Sequence, residues 1–263
     1  MTVVGRKLRR LYRQLLFVDK FRYWICWFRY QYARKILRRL KVAGADDADP
    51  KTIEYNMSGV LNMLDSRRSN ILIRPLTLIE SVNSNSRILA IGPRTEGEIL
   101  LLHAYGFEFE NIRGLDLFSY SPWIDVGDMH NMPYPDSSFD VVISSMVITY
   151  SNNHKLAAKE MLRVVRPGGV IAINLTHVNE EEAELEPTIR SAEVRLRPQS
   201  VAQLLELFDG HAEYVYFQQD AYPDYRPETA NMIKGDPGNI VSVIFSVSKA
   251  RDSNSGVSEV RRG

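Results

Sequence analysis

The sequence is poor in residues that staple a fold or hold a metal. It has a single cysteine, Cys26, in 263 residues, so no intramolecular disulfide can form and a cysteine-rich zinc site is excluded. Its five histidines are scattered, with no short-spaced pair to build a dedicated metal site. Long apolar stretches are missing from the N-terminal part. The longest run there, 23–28, has six residues, against about twenty for a membrane span. A secretory signal would need a longer apolar centre and a small-residue cleavage site. Serine is absent from 1–42, which argues against a mitochondrial presequence. What remains is ordinary globular composition, 44% hydrophobic and 25% charged, which excludes a disordered or collagen-like chain. A chain of this length buries a core without staples. The lone thiol fits a reducing compartment, so the expected location is cytoplasmic.

The formal net charge of +1 conceals an asymmetry. Residues 1–42 carry thirteen Lys/Arg and one acid, Asp19, a net +12; the rest carries twenty Lys/Arg against thirty-one Asp/Glu, a net −11. A basic arm (1–43) is expected to join an acidic body (51–249) across the polar break 44–50, and a Ser/Gly/Asn-rich tail (250–263) to be disordered.

No Pro or Gly interrupts the arm between Gly5 and Gly44, so the reading is one long helix, or two with a bend near Asp19 and Lys20. Leu8, Leu11, Leu15 and Val18 recur at helical spacing, as do Phe21, Ile25, Phe28, Tyr32, Ile36 and Leu40. Phe21, Trp24, Trp27 and Phe28 among Arg and Lys suit an anionic membrane surface contacted through residues 6–41, which implies peripheral attachment. The same composition would follow an RNA backbone with stacked bases, or pack its apolar stripe on the body or on a second subunit.

In the body, 51–83 reads as two helical pieces, the second over 71–82 and interrupted by Pro75. Residues 87–91 form a short apolar strand that stops at the turn Gly92-Pro93-Arg94-Thr95-Glu96-Gly97, followed by a helical pattern over 99–104. A glycine lets backbone approach a ligand, and a helix N-terminus offers unpaired N–H groups to an anion. A second strand ends in Asp116, 24 residues after Gly92, where a carboxylate can accept from both ribose hydroxyls. Asp128 follows a third strand and can bond the exocyclic amine of adenine. A fourth strand is expected over 139–148, a helix over 154–165, a turn at Arg166-Pro167-Gly168-Gly169 and a fifth strand over 170–175.

Together these segments, over about 85–248, resemble the class I S-adenosylmethionine-dependent methyltransferases. The resemblance rests on Ile88-Leu-Ala-Ile-Gly92, on Gly114-Leu-Asp116, on Gly127-Asp128 with Met132-Pro-Tyr-Pro-Asp-Ser-Ser-Phe-Asp-Val-Val142, and on Glu160-Met-Leu-Arg-Val-Val-Arg-Pro-Gly-Gly169. It implies an α/β fold, a doubly wound, mostly parallel seven-stranded Rossmann-like sheet with helices on both faces, and S-adenosylmethionine as cofactor. It implies that Gly92 and Pro93 meet the methionine part. Asp116, with Leu117, would bind the ribose, Asp128 and Met129 would flank the adenine, and Ser144 and Ser145 would lie beside the sulfonium. The family commonly has an acid two residues before the first Gly and more glycines after it. Here Ala90 stands in the first place, and Arg94 and Glu96 occupy the turn. Either Arg94 takes the methionine carboxylate or an anionic substrate and Glu96 the amino group, or the domain has lost catalysis. A nicotinamide-binding Rossmann domain needs Gly at the position of Arg94. A phosphate-binding P-loop needs Lys and Ser/Thr where Glu98 and Ile99 stand.

Beyond the fifth strand, the Glu-rich segment 179–187 reads as a solvated loop or a lid. Ser200 is a plausible cap for a helix over 200–208, and 213–218 and 240–247 suit the last two strands. Tyr222 and Tyr225 are possible ring-stacking groups. His130, His154 and His177 lie near strand ends and could accept a proton, and Tyr150 could orient a substrate. Structural roles compete for each, so no catalytic residue is assigned. The expected reaction is methyl transfer to a small or lipid-like acceptor, the alternative a non-catalytic binding or scaffold protein.

Overall fold

Strand β2 (Ile88–Ile91) lies inside the sheet with all four of its side chains buried, as a strand covered on both faces requires. The computed structural model describes residues 3–43, 67–176, 198–221 and 240–248. The expectations for 44–66, the Glu-rich segment, His177, Tyr222, Tyr225 and the tail lie outside them.

β2 pairs in parallel with β3 (Ile112–Asp116) and β6 (Phe139–Ser145). β5 (Ile124–Val126) pairs in parallel on the far side of β3, and β7 (Val165–Thr176) on the far side of β6. β9 (Ile240–Val247) runs antiparallel between β7 and β8 (Ala212–Gln219). The seven-stranded order is thus β5-β3-β2-β6-β7-β9-β8. It matches the expected doubly wound, mostly parallel sheet.

Alternate residues build two cores. On one face Leu89, Val142, Ile171 and Phe245 pack with α5 (His154–Val164) and α6 (Val201–Leu205), through Ala157, Met161 and Leu204. On the other, Ile88, Ala90, Val141 and Ala172 pack with α3 (Arg67–Leu76) and α4 (Glu96–Ala104), through Leu72, Ile73, Ile99 and Leu102. The caps follow the sequence. Asn153 accepts from the Leu156 N–H ahead of α5, and Ser200 from the Gln203 N–H ahead of α6.

Several boundaries move. The helix expected over 71–82 begins earlier and stops at Leu76. Pro75 removes an N–H from its last turn, and the chain continues through tight turns such as Thr77 N–H to the Arg74 carbonyl, 3.2 Å. The fourth sheet strand ends at Ser145, because Met146 takes a left-handed φ of 59° and a 3-10 turn follows at Ile148–Tyr150.

The arm is two helices, α1 (Val3–Leu16) and α2 (Asp19–Lys35), with the break at Phe17 and Val18. Arg22 fastens the bend. Its guanidinium is buried and donates to the Leu16 carbonyl and to Asp19 Oδ1, each at 2.5 Å. Leu16 and Cys26 pack on Leu100 and Ala104 of α4. Tyr30 and Ala33 pack on Phe118 and Tyr120. The arm ends in β1 (Lys41–Val42), antiparallel to β4 (Phe118–Ser119).

The stripe read from periodicity is buried only in part: Phe21, Ile25 and Leu40 are half-buried against the clusters around Cys26 and Tyr30, while Phe28, Tyr32 and Ile36 face outward. Arg22, Cys26, Tyr30 and Ala33 face inward, whereas Trp24, Phe28, Tyr32 and Ile36 are each more than half exposed. α2 is apolar on two opposite faces, so spacing alone does not choose between them. The small side chains of Cys26 and Ala33 permit close approach on one face only.

Candidate functional site

The site lies at the carboxyl edge of β2, β3, β5 and β6, where ligands bind in open α/β sheets. β2 ends at Ile91, and Gly92 follows with φ +66°. A Cβ at Gly92 would stand 2.5 Å from Val147 Cγ2, so conformation and space both require glycine here. The Gly92 N–H donates to the Leu115 carbonyl, 2.7 Å, and fixes the turn against β3. Arg94 adopts a left-handed φ of 48°, which aims its N–H at Asp116 Oδ2, 2.9 Å. Thr95 then caps α4 by accepting from the Gly97 N–H. Pro93 is buried and would lie 2.9 Å from a Cβ at Gly114.

Asp116 ends β3 and is 5% exposed. Burial pushes its carboxyl up to about 6, opposed by the Arg94 N–H, the Arg94 charge, and the N–H groups of Phe118 and Leu117. Its carbonyl accepts from the Gly127 N–H, 3.0 Å, which brings the next loop alongside. There Asp128 Oδ1 accepts from the His130 N–H, 3.0 Å, and lies 2.7 Å from His130 Nδ1. A carboxylate only accepts, so Nδ1 carries the proton. His130 Nε2 lies 2.6 Å from Ser151 Oγ and ties this loop to the segment after β6. Met129 is half-buried on the core beneath.

At the end of β6 the Oγ atoms of Ser144 and Ser145 are buried without a hydrogen-bond partner among the described residues. Orphaned hydroxyls are uncommon in folded interiors. The Arg94 guanidinium stands 5.7 Å over the Tyr150 ring. The structure thus brings Gly92, Pro93, Arg94, Asp116, Leu117, Asp128 and Met129 to one sheet edge, with Ser144 and Ser145 on the neighbouring strand. A buried carboxylate, a second carboxylate one loop away and two hydroxyls in want of partners fit the donor and acceptor pattern of an adenosine-bearing ligand.

Glu96 departs from its expected role. It is 1% exposed, and both carboxylate oxygens face Arg29 of α2, with Arg29 Nη2 to Oε1 at 3.0 Å and Nε on Oε2. The expectation that Glu96 takes a ligand amino group is therefore corrected, because its carboxylate is sealed against the arm. The Leu117 carbonyl accepts from the Ala43 N–H, 2.7 Å, where the arm joins the body.

Sequence reasoning missed Arg29 and Glu98. Arg29 lies 67 residues from Glu96, and no local pattern announces that pairing. Glu98 carried a signal, an acid leading into the apolar run Ile99-Leu100-Leu101-Leu102. It is buried, accepts from Ser69 Oγ at 2.6 Å through Oε2, and leaves Oε1 without a partner among the described residues. Burial pushes its carboxyl up to about 7; the Ser69 hydrogen bond opposes this and the Asp116 charge adds to it. His154 has a buried Nε2 without a partner among the described residues. Burial, then the neighbouring His130, lowers its pKa, which disfavours the protonated ring. A separate hollow of about 320 Å³ lies between α1 and the end of α4, lined by Arg9, Arg10, Arg13 and Phe17 among others. Glu108 already holds Arg9 and Arg13, at 2.6 and 3.0 Å.

Residues 105–173 match the family described as a methyltransferase domain. The match includes Asp116, Asp128, Ser144 and Ser145, and begins after the Gly92–Gly97 turn that holds Arg94 and Glu96. Ajmaline N-methyltransferase of Rauvolfia serpentina is 38% identical over 72 residues, covering 27% of this chain and 24% of that enzyme. The chain spans about a quarter or less of the length of the curated relatives it matches. One similar solved structure is a chain from the Haloferax volcanii complex of the Trm112 methyltransferase activator with a methyltransferase. It has a TM-score of 0.52 and 19% identity, covering 74% of this chain and 96% of that one. Another is the [4+2]-cyclase SpnF, with a TM-score of 0.51 and 16% identity over 80% of this chain and 98% of that one. These two likenesses establish the fold alone. Over residues 105–173 the chain resembles the methyltransferase domain family, and its fold is that of the class I S-adenosylmethionine-dependent methyltransferases, whose cofactor is S-adenosylmethionine.

Proposed function

We propose that this protein transfers a methyl group from S-adenosylmethionine to a small or lipid-like acceptor, with its arm resting on an anionic membrane surface. The observation that carries the reading is the convergence of the Gly92 turn, Asp116 and Asp128, joined by the hydrogen bonds from Gly92 N–H to Leu115 O, Arg94 N–H to Asp116 Oδ2 and Gly127 N–H to Asp116 O.

When bound, S-adenosylmethionine supplies a methyl group on a positively charged sulfur, and the protein's work is orientation. Asp116 would accept from the ribose hydroxyls. Asp128 would accept from the adenine amine through Oδ2, since Oδ1 is engaged with His130. Arg94, the cation of the turn, would meet the methionine carboxylate, and Ser144 and Ser145 would gain their missing partners. His154, whose Nε2 is unpartnered among the described residues, would be the group that takes a proton from an O- or N-nucleophile.

The outward stripe of α2 supports the membrane part. Trp24, Phe28, Tyr32 and Ile36, with Leu8, Leu11 and Leu15 of α1, leave an apolar surface exposed among Lys20, Arg34, Lys35, Arg38 and Arg39. Interfacial helices combine such surfaces with cations for anionic headgroups. Among the described residues no helix is long and apolar enough to cross a membrane.

The activity is tested by incubating the protein with methyl-labelled S-adenosylmethionine and extracts of lipids and metabolites, followed by mass spectrometry. A labelled product supports the reading. Ligand binding without any labelled product would favour the scaffold reading, to which Ala90 and the glycine-poor turn lend weight. For the membrane, Trp24→Ser with Phe28→Ser should reduce co-sedimentation with phosphatidylserine-containing vesicles several-fold. Unchanged sedimentation removes that part.

A further inference from the structure

The arm meets the body at the two loops that frame the ligand edge. Arg29 of α2 forms a two-pronged ion pair with Glu96, the first residue of α4, directly after the Gly92–Thr95 turn. The arm's last segment, β1, pairs with β4 in the register Lys41 to Ser119 and Val42 to Phe118, and Ala43 N–H donates to the Leu117 carbonyl. Those body residues directly follow Asp116. The arm thus holds both the turn after β2, through α2, and the loop after β3, through β1.

The Arg29–Glu96 contact is built rather than incidental. Glu96 is 1% exposed and Arg29 40% exposed, so the carboxylate is the committed partner. The Arg29 guanidinium lies 4.2 Å over the Trp123 ring, which fixes its plane for the two-pronged bond. The Glu96 N–H donates to the Tyr120 hydroxyl, 3.3 Å, and Tyr120 packs edge-on to Tyr30 of the arm at 5.0 Å. The α4 N-terminus favours a carboxylate here, but a carboxylate this buried still needs a counter-ion. Among the described residues, Arg29 is the side chain that pairs with it. Without Arg29, the carboxylate would turn toward water and take the first residue of α4 with it. The preceding turn, including the Arg94 N–H on Asp116, would lose its setting.

We propose that the arm is a working part of the ligand site, and that Arg29, acting through Glu96, is the positioning residue of the turn that receives the S-adenosylmethionine class of ligand. The ligand half of this inference rests on the proposed function; the bracing half does not. Glu96 thus couples the turn to an ion pair that reaches it from outside the sheet.

The test uses the full chain with Arg29→Ala, and with Arg29→Ala combined with Glu96→Gln. Hydrogen exchange is followed in the peptide covering 92–98, and S-adenosylhomocysteine affinity is measured by calorimetry. Arg29→Ala should speed exchange in 92–98 at least tenfold, leave exchange in β7 unchanged, and weaken affinity at least tenfold. The double variant, with no buried charge to neutralise, should recover affinity to within about threefold of the parent. Parent-like exchange and affinity in Arg29→Ala overturn the proposal. So does a double variant no better than the single one, since the loss would then come from arm packing alone. A parent chain that binds no ligand, but whose turn loosens in Arg29→Ala, refutes the proposed function while upholding the bracing.

Discussion

The Arg94 N–H donates to Asp116 Oδ2 across 2.9 Å, so the turn after one strand is held by the carboxylate that ends its neighbour. This bond makes the Gly92 turn and the acidic strand end a single unit. It also leaves Asp116 buried, with its carboxyl pushed up to about 6. The ionised form offers the acceptors that two ribose hydroxyls require. Affinity for S-adenosylmethionine should therefore rise with pH through about 6 and level off above it. In Asp116→Asn that rise should disappear, with affinity weakened at least tenfold throughout. Calorimetry at pH 5, 6, 7 and 8 checks both parts.

Glu98 sets a stability slope of its own. Its carboxyl rises from an ordinary 4.5 to about 7 by burial, so between those values the native state holds a proton that the unfolded chain has released. Stability then falls as pH rises through that window. At ~1.4 kcal/mol per unit, the loss on reaching pH 7 and above is about 3 kcal/mol. Asp116 acts in the same direction between 3.8 and about 6. Glu98→Gln should flatten the decline. Urea midpoints at pH 5 and pH 8 should differ less in the variant than in the parent, the variant being the more stable at pH 8.

Gly92→Ala meets two obstacles. The φ of +66° disfavours any side chain, and the new Cβ would stand 2.5 Å from Val147. The expected cost is about 1–3 kcal/mol of stability, accompanied by loss of ligand affinity as the turn shifts. Gly106→Ala also carries a positive φ, but a Cβ there meets nothing within 4 Å. It should cost stability and leave affinity near that of the parent.

Arg22→Leu keeps apolar bulk at the bend of the arm but strands the Leu16 carbonyl and releases Asp19. A loss of about 1–3 kcal/mol in urea unfolding is expected. A variant as stable as the parent would show that the bend is held by packing alone.

Much of the sheet was legible because its strands are short apolar runs between strong turn signals. Ile88–Ile91 and Ile240–Val247 reach both faces of the sheet, so any register still buries them. The ends of α3 and β6 were not legible to the residue, since they depend on how Pro75 and Met146 continue the chain. At the candidate site, the spacing of Asp116 from Gly92 and the position of Asp128 after a third strand are topological properties that sequence records, and the structure puts both on one sheet edge. Glu96 was misread because its partner lies 67 residues away, and an ion pair between distant segments leaves no periodic trace. The arm posed the hardest problem: α2 has two apolar faces, and only the opposing surfaces, α4 beneath Cys26 and Phe118 with Tyr120 beneath Ala33, decide that these two turn inward while Trp24 and Phe28 do not.

The central claim is that the carboxyl edge formed by Gly92, Asp116 and Asp128 grips an adenosine group. The most direct test is a calorimetric titration of the full chain and of Asp116→Ala with S-adenosylmethionine and S-adenosylhomocysteine at pH 7.5. The account predicts saturable one-site binding of both ligands to the parent, weakened at least tenfold in the variant. Absence of heat with either ligand in the parent, or equal affinity in Asp116→Ala, would contradict it.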